Sequence, residues 1–398
     1  MPTSSEARAT APSVKRIDSF PKYESHRSVK IPLLDLTRKY RFIETELKQR
    51  WEEIFSSMHL LNGPNLSNFE KEFALYCGVH YAIGVGSGTD AIFLSLLALD
   101  IGPGDEVILP AHAPAPVIEP VIAVGATPVL VDKAKHDYGP DIRGLKNAIG
   151  PATKAIIAVH LLGLPCDMDA ILQVARKENL HVVEDASQAQ GALYKGKRAA
   201  GLGIITPMSL GVVKNLASYG DGGVVLTNDG RLAERVRLLR VHGQAEKYDH
   251  KFYGWNSRLD ELQAAALRLK LPTLDDDNAK RREIAARYSK AFAPLPLTTP
   301  PSFADRVSVY HQYVIETADR DALRTFLNEK GIGTGIYYPM PLHLHEAWIL
   351  RGYPHCSLPE AERYARENLA LPVFADLTDE EVDYVVATVK AFFSMTER

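Results

Sequence analysis

Cysteine is scarce in this chain of 398 residues. There are three, Cys77, Cys166 and Cys356, odd in number and scattered. That excludes a disulfide framework and a cysteine-rich zinc motif, so no metal site is expected and the thiols should be reduced, as in a cytoplasmic protein. An excess of one charge is also missing. Lys and Arg number 46 against 49 Asp and Glu, a formal balance of −3, which leaves no basic footprint for nucleic acid. No apolar run reaches the roughly 18 residues that a membrane-spanning helix needs. The N-terminus lacks the apolar segment of a secretory signal, so none is expected. Residues 1–30 hold Ser, Ala, Pro and charge without periodicity; they are predicted to be a mobile tail or an arm that clasps a partner.

What the chain does have is alternation. Strand-like apolar runs at 81–85, 106–109, 128–131, 155–160, 182–185, 204–210 and 223–226 are separated by helical patterns. Such alternation predicts an α/β fold built on a mostly parallel sheet covered on both faces. The Gly-rich return before Val224 predicts one antiparallel strand. Residues 36–58 have helical spacing, and residues 258–271 are predicted as one amphipathic helix. After Pro272 the pattern changes to helix, strand, helix with more charge. This predicts a tail (1–30), a large domain (31–271) and a smaller α+β C-terminal domain (272–398).

Three segments carry chemistry. Lys214 ends the apolar run Ser209-Leu-Gly-Val-Val-Lys214 and precedes the turn Tyr219-Gly-Asp-Gly-Gly223. Most lysines point into water. One in an apolar run is partly desolvated, which lowers its pKa and makes its amine a nucleophile for a carbonyl such as that of pyridoxal phosphate (PLP). A second segment, Gly86-Ser-Gly-Thr89-Asp90, joins a buried strand to a helical run. Thr89 is the expected N-cap, and the first-turn amides form an anion site. Its spacing does not fit the G-x-G-x-x-G dinucleotide fingerprint. The third, Val182-Val-Glu-Asp185, ends a strand in acids, and ligands of open α/β sheets lie at carboxyl strand ends. Asp185 there would keep a pyridine nitrogen protonated.

In that order, and with Gly102-Pro-Gly-Asp-Glu-Val-Ile108, Gly125-Ala-Thr-Pro-Val129, Glu184-Asp-Ala-Ser-Gln188, Asn256-Ser-Arg-Leu-Asp-Glu-Leu-Gln263 and Tyr338-Pro-Met-Pro-Leu-His343, the chain resembles the DegT/DnrJ/EryC1/StrS family, PLP-dependent sugar aminotransferases of fold type I. The resemblance spans roughly residues 31–390. It implies that Lys214 forms the Schiff base with PLP and shuttles the proton, and that Asp185 pairs with the pyridinium. Gln188 would bond the cofactor's phenolic oxygen, and Gly88, Thr89 and Ser209 would hold its phosphate. Asn256 would reach the phosphate of the neighbouring subunit, which makes the chain a homodimer with shared sites. Arg258 is expected in a structural or interface ion pair.

Two positions depart from the family. Pro114 stands where an aromatic ring usually covers the cofactor, and Gly211 with its neighbours replaces bulkier residues. Both predict a wider or differently shaped pocket. His112, a loop residue, is placed near that ring face. Tyr338 and His343 are expected at substrate hydroxyls or a diphosphate, with Trp255 facing the pocket and His345, Trp348 and Tyr353 near its mouth. The implied reaction moves an amino group from L-glutamate or L-glutamine to a keto-sugar, a nucleotide-linked 3-keto-deoxysugar. A different class stays open: a PLP enzyme with lyase or carbon–carbon bond-forming chemistry, or a regulator that only binds the cofactor.

Overall fold

The computed structural model describes residues 30–349 and 356–396. Its central sheet has seven strands: β1 (Tyr81–Val85), β2 (Glu106–Pro110), β3 (Thr127–Val131), β4 (Thr153–Val159), β5 (His181–Asp185), β6 (Thr206–Ser209) and β7 (Gly223–Thr227). Strands β3, β2, β4 and β5 run parallel in that order. Strand β6 continues the row through a parallel Val183–Ile205 bridge and the bonds Glu184 N–H to Ile205 O (3.0 Å) and Ala186 N–H to Pro207 O (3.2 Å). Strand β7 lies antiparallel between β6 and β1, the reversal expected of the Gly-rich return. Every residue of β7, and 155–159 of β4, is buried. Strands apolar on both faces need helices on both sides, and parallel crossovers supply them.

Around the sheet stand α1 (Leu36–Ser57), α2 (Pro64–Cys77), α3 (Gly88–Ala98) and α4 (Ala115–Ala123). Two helix boundaries differ from expectation. The cap of α3 is Ser87, not Thr89: Ser87 is extended and its hydroxyl accepts the Asp90 N–H at 3.0 Å, which leaves Thr89 inside the first turn. The helix expected over 258–271 is α5 (Glu261–Lys270). It begins late because Asp260 is extended and its carboxylate caps Gln263 N–H at 2.9 Å.

Next comes α6 (Leu274–Phe292), then the antiparallel pair β8 (Tyr313–Glu316) and β9 (Asn368–Leu371) with helices Arg320–Glu329 and Asp379–Thr396. This smaller α+β part has its own core around Tyr288, Phe292, Ile315, Leu327, Leu369 and Val385, and Ile31 joins it. Arg38 of α1 reaches both carboxylate oxygens of Glu381, at 2.7 and 2.6 Å, tying α1 to the last helix. Residues 1–29, for which a tail is predicted, lie outside the described residues.

Candidate active site

One edge of the sheet collects the chemistry. Asp185 closes β5, Ser209 closes β6, residues 86–90 leave β1, and residues 111–114 leave β2. Because β7 is antiparallel, its first residue, Gly223, begins at this same edge. Two glycines set the spacing. A Cβ on Gly88 would lie 2.4 Å from Ser209 Cβ, and one on Gly223 would lie 2.2 Å from the Ser87 carbonyl oxygen. The turn after β1 is therefore pressed onto Ser209 with room for no side chain at either contact. Ser87 takes the Asp90 N–H through its hydroxyl and the Ala91 N–H through its carbonyl. Gly88 and Thr89 are left as first-turn donors without an intrahelical partner, beside the Ser209 hydroxyl. That makes an anion cradle.

Asp185 is 3% exposed. Its Oδ1 accepts the Ser187 N–H at 2.9 Å. Burial pushes its pKa up; the Ser187 bonds, and then the charges of Lys214 and His160, oppose that. Strand alternation sends the neighbouring Glu184 to the opposite face, where it is fully buried and accepts from His160 Nε2, the N–H groups of Leu202 and Gly203, and the Thr206 hydroxyl. So only one of the two strand-end acids faces the site. Burial pushes the Lys214 pKa down and Asp185 partly restores it, which puts the two within electrostatic reach. Among the described residues no carboxylate or carbonyl accepts a hydrogen bond from the Lys214 amine.

Gln188 is buried and oriented from both ends. Its Oε1 accepts Leu162 N–H at 2.7 Å, and its Nε2 donates to Tyr338 Oη at 3.0 Å. Tyr338 thus lies beside Gln188. His112 does not wait in solvent as a loop histidine would. It is 1% exposed, with Nε2 2.9 Å from Tyr337 O and 3.1 Å from Tyr338 N. Burial lowers its pKa to about 4, so the ring is neutral and braces the tyrosine segment. Pro114 is the extended residue that opens α4.

Other expected residues lie elsewhere. His343 is buried with Nε2 3.1 Å from Glu362 Oε1, and with Trp348 it lines a separate cavity against residues 127–130. Trp255 is 45% exposed, its ring edge-on to Phe93 of α3. His345 Nε2 lies 3.2 Å from Met340 O, and Tyr353 is outside the described residues. Arg258 forms no ion pair among the described residues. Asn256 is exposed, but its neighbour Ser257 is buried under the turn after β1: the Ser257 hydroxyl accepts Gly86 N–H at 2.9 Å and donates to Asp90 at 2.7 Å. Nothing in the linear order marks Ser257. Ser87 could have been found, since a serine three residues before an acidic first-turn residue is a capping pattern.

A lysine amine, a single inward carboxylate and an anion cradle at one sheet edge are what an aminotransferase needs, and residues 42–390 match the DegT/DnrJ/EryC1/StrS aminotransferase family. The chain belongs to this family of PLP-dependent, fold type I enzymes. It is 43% identical over 364 residues to dTDP-3-amino-3,4,6-trideoxy-alpha-D-glucose transaminase of Streptomyces venezuelae, covering 91% of this chain and 96% of that one. It is 41% identical over 366 residues to a protein of Geobacillus stearothermophilus named "Pleiotropic regulatory protein", covering 91% and 98%. Among solved structures, S. venezuelae DesV in complex with a ketimine intermediate is similar with a TM-score of 0.89 at 42% identity, over 91% of this chain and 98% of that chain.

Proposed function

We propose that this chain is a PLP-dependent sugar aminotransferase that moves an amino group from L-glutamate or L-glutamine onto a nucleotide-linked 3-keto-deoxysugar. The observation that carries the reading is the meeting of Lys214, Asp185 and the Gly88–Ser209 contact at one strand edge. These residues fit the cofactor. The cradle has no room for a Cβ at Gly88 or Gly223, no hydrogen-bond acceptor among the described residues engages the amine, and one carboxylate faces inward. Bound there, PLP supplies a carbonyl for amines and a ring that withdraws electrons.

The chain's own residues do the rest. Lys214 would hold the cofactor through its amine, and the same amine would serve as the base that moves a proton. Asp185 would hold the proton on the pyridine nitrogen. The second N–H of Gln188 Nε2 would be available to the cofactor's phenolic oxygen. Gly88 and Thr89 N–H groups and the Ser209 hydroxyl would hold the phosphate, and Pro114 would cover a ring face without π-stacking. Tyr338 faces the sugar from beside Gln188. Asn256 would serve the partner's phosphate in a cytoplasmic homodimer, and residues 31–271 form the PLP-binding domain, apart from Ile31, which packs in the core of the smaller one, 272–398.

The test is spectroscopic. L-glutamate should convert the absorbance of the PLP form to that of the pyridoxamine phosphate form, and a dTDP- or UDP-linked 3-keto sugar should convert it back. A protein that only binds PLP, as a regulator would, shows neither change.

A further inference from the structure

The segment that carries Lys214 is held by a chain of side-chain amides ending on a histidine that the proposed reaction does not use. Gln190, fully buried, donates from Nε2 to Ser209 O at 2.7 Å and accepts Leu216 N–H on Oε1 at 3.4 Å, gripping both ends of residues 209–216. Asn278 of α6 donates from Nδ2 to the Gln190 backbone carbonyl at 2.9 Å. Asn215, next to Lys214, donates from Nδ2 to Asn278 Oδ1 at 2.8 Å and to Val309 O at 3.3 Å. His311 Nδ1 lies 3.1 Å from Asn215 Oδ1.

The protons in this chain are not free to choose. A backbone carbonyl can only accept. Gln190 O therefore fixes which end of the Asn278 amide is nitrogen, so Asn278 Oδ1 must face Asn215. Asn278 Oδ1 and Val309 O then both demand the Asn215 nitrogen, which leaves Asn215 Oδ1 toward His311. An amide oxygen cannot donate, so His311 Nδ1 carries the hydrogen. The ring is 6% exposed, and burial, followed by the charges of Lys214 and Arg281, holds its pKa well below the ordinary histidine value. His311 is thus the neutral Nδ1–H tautomer, close enough to feel the reactive amine.

We infer that His311 is a positioning residue for Lys214: its Nδ1–H bond to Asn215 completes the amide chain that holds residues 209–216 in the conformation presenting the lysine amine to PLP. This rests on the function proposed above. It also explains why Lys214, flanked by the exposed Val212 and Val213 on one side, has so well tethered a neighbour on the other. The anchor comes from the C-terminal part of the chain, α6 and the stretch before β8, so the lysine is set by both parts of the fold.

Three apoprotein variants test this. Asparagine at 311 can keep a nitrogen donor where Nδ1 stood; phenylalanine keeps the ring volume and removes the donor. Two quantities are read: the rate at which added PLP acquires the visible absorbance of its lysine Schiff base, and the affinity for pyridoxamine phosphate, which needs no lysine chemistry. His311→Phe should slow the first on the order of tenfold, a modest misplacement of a reacting group, and leave the second near wild type. His311→Asn should recover the first.

If His311→Phe loses both in the same proportion, the residue only supports the fold and the inference falls. It falls equally if His311→Phe matches wild type, or if His311→Asn is no better than His311→Phe. Should His311→Phe fail to fold, Asn215→Asp, which keeps size but cannot donate to Asn278 or Val309, takes its place with the same expectation. Wild-type protein that forms no Schiff base would overturn the proposed function itself; wild type that forms one while the variants match it overturns only the role of His311.

Discussion

Changing Asp185 to Asn should separate the stability of the apoprotein from the chemistry of the loaded enzyme. The carboxylate is 3% exposed, and burial holds its pKa above the ordinary value of 3.8. An acid whose folded pKa is raised is less favourable when ionised, so at neutral pH the apoprotein bears a cost that disappears as pH falls through the folded pKa toward and below 3.8. Asn removes that cost and can still accept the Ser187 N–H through its amide oxygen. The apoprotein Asp185→Asn should therefore melt no lower than wild type at pH 7, with wild type gaining on it as the pH is lowered.

Cofactor and turnover should move the other way. An uncharged amide cannot hold the pyridinium proton. Loss of one charge-assisted bond costs about 1.5–3 kcal/mol of cofactor binding, so the rise in Tm on adding PLP shrinks, since that rise follows ligand concentration over Kd. Loss of a preorganised charge at the reacting centre costs about 3–4 kcal/mol, on the order of 10²–10³ in rate. Calorimetry with and without PLP, and single-turnover rates with L-glutamate, read both. Turnover within about threefold of wild type would show that Asp185 is only a local cap on Ser187.

Lys214→Ala should lose the visible absorbance of bound PLP and nearly all turnover while still binding pyridoxamine phosphate; a normal rate in this variant would remove the lysine from the chemistry. Tyr338→Phe should raise the sugar-substrate KM by roughly the worth of one hydrogen bond, about 0.5–1.5 kcal/mol, whereas His343→Gln, at a side chain that meets Glu362, should change KM less. A large KM effect at His343 with none at Tyr338 would invert that placement. Co-expressing Lys214→Ala with Asn256→Ala should restore activity. A mixed dimer has one site with both defects and one with neither, so about a quarter of all sites become intact under random assortment in an isologous dimer. No recovery in verified mixed dimers would mean that each Asn256 serves the turn of its own chain, beside Ser257.

Some of this was open to reading from the linear order because it depends on local rules. The strand and helix alternation survives as the seven-stranded sheet, since an apolar run that must be covered on both faces leaves few other arrangements. The Gly-rich stretch before Val224 marks the one reversed strand. Asp185 and the 86–90 turn could be found because each is a polar break at the end of an apolar strand, and Lys214 because it follows an apolar run, although the fold sets it in the turn after β6 beside the exposed Val212 and Val213. What only the tertiary structure decided are contacts between distant segments. Sequence places Glu184 and Asp185 side by side; the fold buries one in a ring of donors behind the sheet and turns the other toward the lysine. It makes Ser87 the cap instead of Thr89, because the Gly88 and Gly223 contacts dictate where the chain leaves the sheet. It sets the Tyr338 hydroxyl on Gln188 and His343, five residues on, against Glu362. It brings His311 and Asn278 from the C-terminal part of the chain to the side chain next to Lys214. Hydrogen-bond partners a hundred residues apart leave no periodicity for a sequence to display; only folding makes them neighbours.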